Sequence, residues 1–269
     1  MRSLLLAVLL AGCAVAAPLR AGEVGFPAPG VELRAGYTLP DRPAVAPAIV
    51  GLHGCGGPFP VRDHQWRDLL AAAGHPFLLP DSFGSRGLGS QCSVRVRTVS
   101  PERERRSDTV AAAMWLAAQP GTPPGGVVVM GWSNGGSTVL AAAEKGVMPP
   151  GVVRGFVAFY PGCRLLQRRG GWAPSAPLLI VMGEADDWTP AAPCRVLAAE
   201  HPDLIRLVLY PGAYHDFDAP NRPVTVRKGL AYTANGDGLA HVGTDEAGRD
   251  AALRDVPAWI AGLAAVTDR

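Results

Sequence analysis

The stretch Val127–Glu144 (VVVMGWSNGGSTVLAAAE) constrains this 269-residue chain more than any other. It reads as a buried apolar strand, a sharp turn carrying one serine, and a helix. In Gly131-Trp132-Ser133-Asn134-Gly135 the glycines lack the Cβ atoms that would clash where the chain reverses. Serine is a weak nucleophile until a strained, exposed turn presents it to a base that takes its proton. With 33 glycines in the chain, a bare G-x-S-x-G arises about 0.15 times by chance. The strand before it and the helix-compatible run after it give the match its weight. Ser133 is the predicted nucleophile.

An activated serine needs a base, and the base needs an orienting acid. Pro177–Met182 (PLLIVM) reads as a strand and leads into Gly183-Glu184-Ala185-Asp186-Asp187-Trp188-Thr189-Pro190. Asp186 is the predicted acid, set in a G-x-x-D-x-x-x-P frame. Its neighbour Asp187 is read as bracing the same turn through backbone amides. Ile205–Tyr210 (IRLVLY) is a further strand, and His215 follows it in Pro211-Gly212-Ala213-Tyr214-His215-Asp216-Phe217. His201 precedes that strand and His241 lies in a polar loop, so His215 is the predicted base. Ala48–Leu52 (AIVGL) ends in His53-Gly54-Cys55-Gly56-Gly57, a turn that lets a backbone amide approach a developing oxyanion. The predicted oxyanion donors are the amides of Cys55 and Asn134.

The segments HGCGG, PDSFGSRG, GWSNGG, GEADDWTP and YPGAYHDFD together resemble the dienelactone hydrolase family of the α/β-hydrolase superfamily, from about Val45 to Ile260. The resemblance implies a Ser-Asp-His chain order, with Ser133 where the family's namesake carries cysteine. Acyl transfer survives that exchange, while the namesake's cyclic dienelactone substrate is not carried over with it. In the namesake an Arg after a Pro-Asp pair holds the substrate carboxylate. Pro80-Asp81-Ser82-Phe83-Gly84-Ser85-Arg86 puts Arg86 near that position, shifted by one residue. Its guanidinium offers a carboxylate two parallel donors.

Alternating strands and helices with apolar strand cores imply a mostly parallel sheet covered on both faces, in one α/β-hydrolase domain over residues 31–269. The elements expected are a strand at Val31–Leu39, helices at Asp63–Ala73, Pro101–Gln119 and Pro190–Glu200, and a strand at Gly155–Tyr160. A final helix is expected from a Thr244 cap to about Val266, and Ala219–Val242 as a long loop near the site. A formal net charge of +2 is too small to argue for nucleic acid. Arg95–Arg106 sits among glutamates and reads as a solvated helix start.

Met1-Arg2-Ser3 and the apolar Leu4–Gly12 read as a secretory signal within residues 1–17, too short to span a bilayer. Cleavage falls either after Ala16 or before Cys13, where Leu10-Ala11-Gly12-Cys13 resembles a bacterial lipobox and would attach the chain to a membrane. Residues 18–30 read as a Pro/Gly-rich tether. Cys55, Cys92, Cys163 and Cys194 remain, an even number that favours disulfides in an exported chain. Fold order pairs Cys55 with Cys92 and Cys163 with Cys194. No C-x-x-C exists, so neither a zinc site nor a dithiol redox centre is predicted. No cofactor is expected. The leading expectation is an exported serine hydrolase acting on a small ester or lactone. A peptidase, a carbohydrate esterase and a non-catalytic binding lipoprotein are the alternatives.

Overall fold

In the computed structural model, residues 22–264 are described. Eight strands form one sheet in the order β1-β2-β4-β3-β5-β6-β7-β8. They are β1 (Gly22–Ala28), β2 (Val31–Thr38), β3 (Ala48–Leu52), β4 (Phe77–Pro80), β5 (Val127–Trp132), β6 (Val153–Phe159), β7 (Leu178–Gly183) and β8 (Ile205–Tyr210). The pairs β1–β2 and β2–β4 are antiparallel, and every other pair in the sheet is parallel. The central strands β3, β5 and β7 are buried at every residue, as continuous apolar runs under helices on both faces must be. The connecting helices are α1 (Pro60–Ala72), α2 (Glu104–Ala117), α3 (Asn134–Ala143), α4 (Arg164–Arg169), α5 (Ala192–Glu200) and α6 (Glu246–Ala264). Among the described residues no helix is long and apolar enough to cross a membrane.

Several sequence expectations are corrected. The expected tether is largely β1: Gly22–Ala28 pairs with β2 along its whole length. Phe26 is buried and stacks on Trp115 of α2, with ring centroids 5.1 Å apart. A single anchored aromatic in GEVGFPA leaves little periodicity to read. The signal segment, Cys13 and the chain after residue 264 lie outside the described residues. Helix α2 starts at Glu104, three residues beyond Pro101. The last helix is capped by Asp245, whose Oδ1 accepts the Gly248 amide at 2.7 Å; Thr244 donates instead to the Ala219 carbonyl at 2.5 Å. The 219–242 excursion carries a short hairpin, β9 (Thr225–Arg227) with β10 (Ala240–Val242).

Both disulfides join the expected partners, Cys55 to Cys92 and Cys163 to Cys194. The first packs with Trp188, Leu230, Ala240 and Val242 in a small apolar cluster separate from the main core. That cluster seats the 219–242 excursion beside the carboxyl ends of β3, β5, β7 and β8, where ligands enter α/β sheets.

Candidate active site

Ser133 sits between β5 and α3 with φ 56° and ψ −115°, a strained backbone for a residue with a side chain. The glycines around it are sterically required. A Cβ on Gly135 would lie 2.1 Å from the Leu52 carbonyl oxygen, and one on Gly131 would lie 2.6 Å from the Gly135 carbonyl oxygen. The turn therefore presses against β3, next to the Gly54–Gly57 loop.

His215 Nε2 lies 2.8 Å from Ser133 Oγ, and His215 Nδ1 lies 2.7 Å from Asp186 Oδ2. With Nδ1 donating to Asp186, Nε2 is left to accept the Ser133 hydroxyl proton. All three residues are buried. Asp186 Oδ1 accepts the amides of Trp188 and Thr189, each at 2.9 Å, and the Thr189 hydroxyl lies 3.0 Å from Oδ2. The His215 ring lies against Tyr160 and Trp188, with centroids 4.6 and 4.8 Å away. Burial disfavours the charged ring, but the Asp186 carboxylate outweighs it and raises the His215 pKa.

Asp187 does not brace its own turn as expected. It accepts the His241 amide at 2.8 Å and faces His241 Nδ1 at 2.7 Å, so it anchors the β9–β10 hairpin. Asn134 is the first residue of α3, where a backbone amide has no intrahelical acceptor. Cys55 occupies the turn closed by the Gly57 amide on the Gly54 carbonyl, and it lines the same pocket as Ser133. Arg86 is placed elsewhere. Its guanidinium makes two 2.8 Å hydrogen bonds to the buried Asp108 and a third to the Ser82 carbonyl. It does not line the pocket, so a role in holding a substrate carboxylate is not carried forward.

Three further groups escaped the sequence reading. Asp218, fully buried, accepts from Trp66 Nε1 (2.7 Å), Trp132 Nε1 (2.9 Å) and Tyr160 Oη (2.6 Å), tying α1, β5 and the end of β6 together. Arg62 is buried at the pocket and faces Asp63 at 2.8 Å and Asp216 at 3.8 Å. Arg105, read as part of a solvated helix start, is instead buried behind Asn134 and His53. Aspartate after the histidine in YHDFD was the one visible hint of the first two. Nothing in the local pattern around Arg105 separates it from its exposed neighbours.

The pocket over Ser133 has a volume of about 170 Å³ and is walled by the Gly54–Phe59 loop, Trp188, His215 and the excursion. Among the described residues no cluster of His, Cys, Asp and Glu could hold a metal ion.

The sequence profile described as the dienelactone hydrolase family matches residues 33–260. The chain belongs to the dienelactone hydrolase family. No curated protein matches it. Among solved structures, it is similar to a putative dienelactone hydrolase from Klebsiella pneumoniae at 18% identity and TM-score 0.67, covering 90% of this chain and 98% of that one. A dienelactone hydrolase from Anabaena variabilis aligns at 25% identity and TM-score 0.60, over 75% and 90% of the two chains. Esterase 2 of Thermogutta terrifontis, recorded as phosphoramylated by tabun, aligns at 20% identity and TM-score 0.57, over 76% and 87%. This dienelactone hydrolase family member thus has the α/β-hydrolase fold, with Ser133 at the turn between β5 and α3.

Proposed function

We propose that this protein is an exported esterase or lactonase acting on a small substrate through Ser133, His215 and Asp186. The observation that carries the reading is the continuous hydrogen-bond chain from Ser133 Oγ through both His215 nitrogens to Asp186. As the substrate carbonyl enters, Ser133 Oγ attacks its carbon while His215 Nε2 takes the hydroxyl proton. The carbonyl oxygen becomes an oxyanion held by the amides of Cys55 and Asn134. Collapse expels the alcohol, which receives that proton from His215. Water, deprotonated by the same nitrogen, then releases the acid and restores Ser133.

A pocket of about 170 Å³ suits a short acyl group. Two disulfides fit an oxidising compartment and support export. The tabun adduct recorded for the similar Thermogutta terrifontis esterase recommends an organophosphorus probe. The test is labelling by a fluorophosphonate and turnover of a panel of short esters and lactones. Ser133→Ala is expected to abolish labelling and to lower kcat by about 10⁴–10⁶. Undiminished turnover in that variant would remove the reading.

A further inference from the structure

We propose that Arg105 is a positioning residue that locks the two halves of the oxyanion hole to each other. The proposal rests on Ser133 being the nucleophile and on the Cys55 and Asn134 amides receiving the oxyanion.

Those two amides belong to segments far apart in sequence, the loop after β3 and the first turn of α3. Their separation must hold to a few tenths of an ångström for both to serve one oxygen. Arg105 reaches both. Its Nη1 donates to the Asn134 side-chain oxygen at 2.5 Å, and its Nη2 donates to the His53 carbonyl at 2.8 Å, two residues before Cys55. A planar guanidinium fixes these two donors relative to each other, which a flexible ammonium could not do. The Phe83 ring lies 5.0 Å from the guanidinium carbon. The side chain does not border the pocket over Ser133.

The burial of this group is itself informative. Arg105 is 1% exposed, and its Nε has no hydrogen-bond partner. Among the described residues it forms no ion pair: Asp108, one turn along α2, is taken up by both arms of Arg86. Asp108 and Asp81 favour its charge only at longer range, Arg97 and Arg86 oppose it, and burial lowers its pKa to about 9. An apolar side chain would fill such a site with no desolvation cost. Keeping a cation there is sensible if its hydrogen bonds to Asn134 and His53 hold something whose geometry matters. Arg105 Nη2 also lies 3.5 Å from His53 Nδ1, and burial together with the Arg105 charge lowers the His53 pKa.

The experiment uses the full-length protein, p-nitrophenyl acetate as substrate and phenylboronic acid as inhibitor. The serine oxygen adds to boron and gives a tetrahedral anion that needs the oxyanion hole. Arg105→Met is expected to lower kcat about 100-fold and weaken phenylboronic acid by a similar factor, with KM within threefold of the parent. Loss of fold alone would lower the active fraction without changing inhibitor affinity or KM, so the parallel shift is diagnostic. Arg105→Lys keeps the cation and core volume but spans only one acceptor. It is expected to lose at least tenfold in kcat and inhibitor affinity together, which keeps the proposal testable if the Met variant does not fold. Parent-like kcat and inhibition in Arg105→Lys, or a rise in KM with kcat intact in either variant, would overturn the brace. Ser133→Ala run alongside separates the two readings: undiminished turnover there defeats the nucleophile assignment, whereas a Ser133→Ala variant down by about 10⁴ or more beside parent-like Arg105 variants defeats only the brace.

Discussion

His215 stands between two opposing influences, and the balance sets its pH behaviour. Burial favours the neutral ring, while the Asp186 charge and hydrogen bond favour the imidazolium more strongly, so its pKa lies above the ordinary 6.5. A general base must be neutral, so kcat/KM is expected to rise with pH through that elevated value. Stability runs the other way. A raised pKa means the His215–Asp186 pair contributes fully below about 6.5 and is lost as pH climbs through the folded value. Asp186→Asn should shift the limb of the pH–rate profile to lower pH and reduce kcat by about 10⁴. Asp187→Asn should leave that limb in place, because Asp187 faces His241 and not His215. Arg86 supplies a contrasting case. Arg86→Ala strands the buried Asp108 carboxylate, and denaturant titration should show a loss of about 3 kcal/mol. Matched acid and methyl-ester substrates should lose equally little kcat/KM; a selective loss on the acid would return Arg86 to the substrate.

At the level of elements, the close approach of α3 to β3 is what turns a strand–helix connection into a site. Gly135 lies so near the Leu52 and His53 carbonyls that a Cβ would stand 2.1 and 2.6 Å from them. Gly135→Ala must displace the helix start from the end of β3, with an expected loss of about 3 kcal/mol and of nearly all activity. Gly262, exposed in α6 where an added methyl group would meet nothing within 4 Å, is the control. Gly262→Ala should stabilise the protein by about 0.5–1 kcal/mol. Chemical denaturation midpoints of the two variants should move in opposite directions.

Across the whole molecule, the two disulfides have different tasks. Cys55–Cys92 holds the Gly54–Gly57 loop and borders the pocket, and the Ala231 amide donates to the Cys92 carbonyl at 2.8 Å, so the excursion hangs from the same link. Cys163–Cys194 joins the start of α4 to α5 outside the pocket lining. Replacing either pair with serines is expected to cost about 2–4 kcal/mol in the chain-entropy picture. Only loss of Cys55–Cys92 should also depress kcat, by at least tenfold under conditions where both variants are folded. Equal catalytic effects from the two pairs would show that the first is a general staple and no more.

The local sequence was enough to single out Ser133, Asp186 and His215, which the structure brings into one hydrogen-bonded chain, because each follows a strand whose apolar run is read without tertiary knowledge. Gly131 and Gly135 mark Ser133, the G-x-x-D-x-x-x-P frame marks Asp186, and strand order marks His215. The disulfide partners followed from the same order of strands. Strand β1 was missed because Phe26 is the one buried residue within it, so GEVGFPA carries almost no period. Arg86 and Arg105 were misread because a guanidinium looks alike in sequence whether it meets water, a carboxylate or a carbonyl. Only packing decided that Arg86 pairs with Asp108, while Arg105, behind the loop after β3, makes no ion pair among the described residues. Charge burial is a property of what surrounds a side chain, and here those surroundings come from segments tens of residues away: His53 and Asn134 for Arg105, Asp108 for Arg86, and His241 for Asp187.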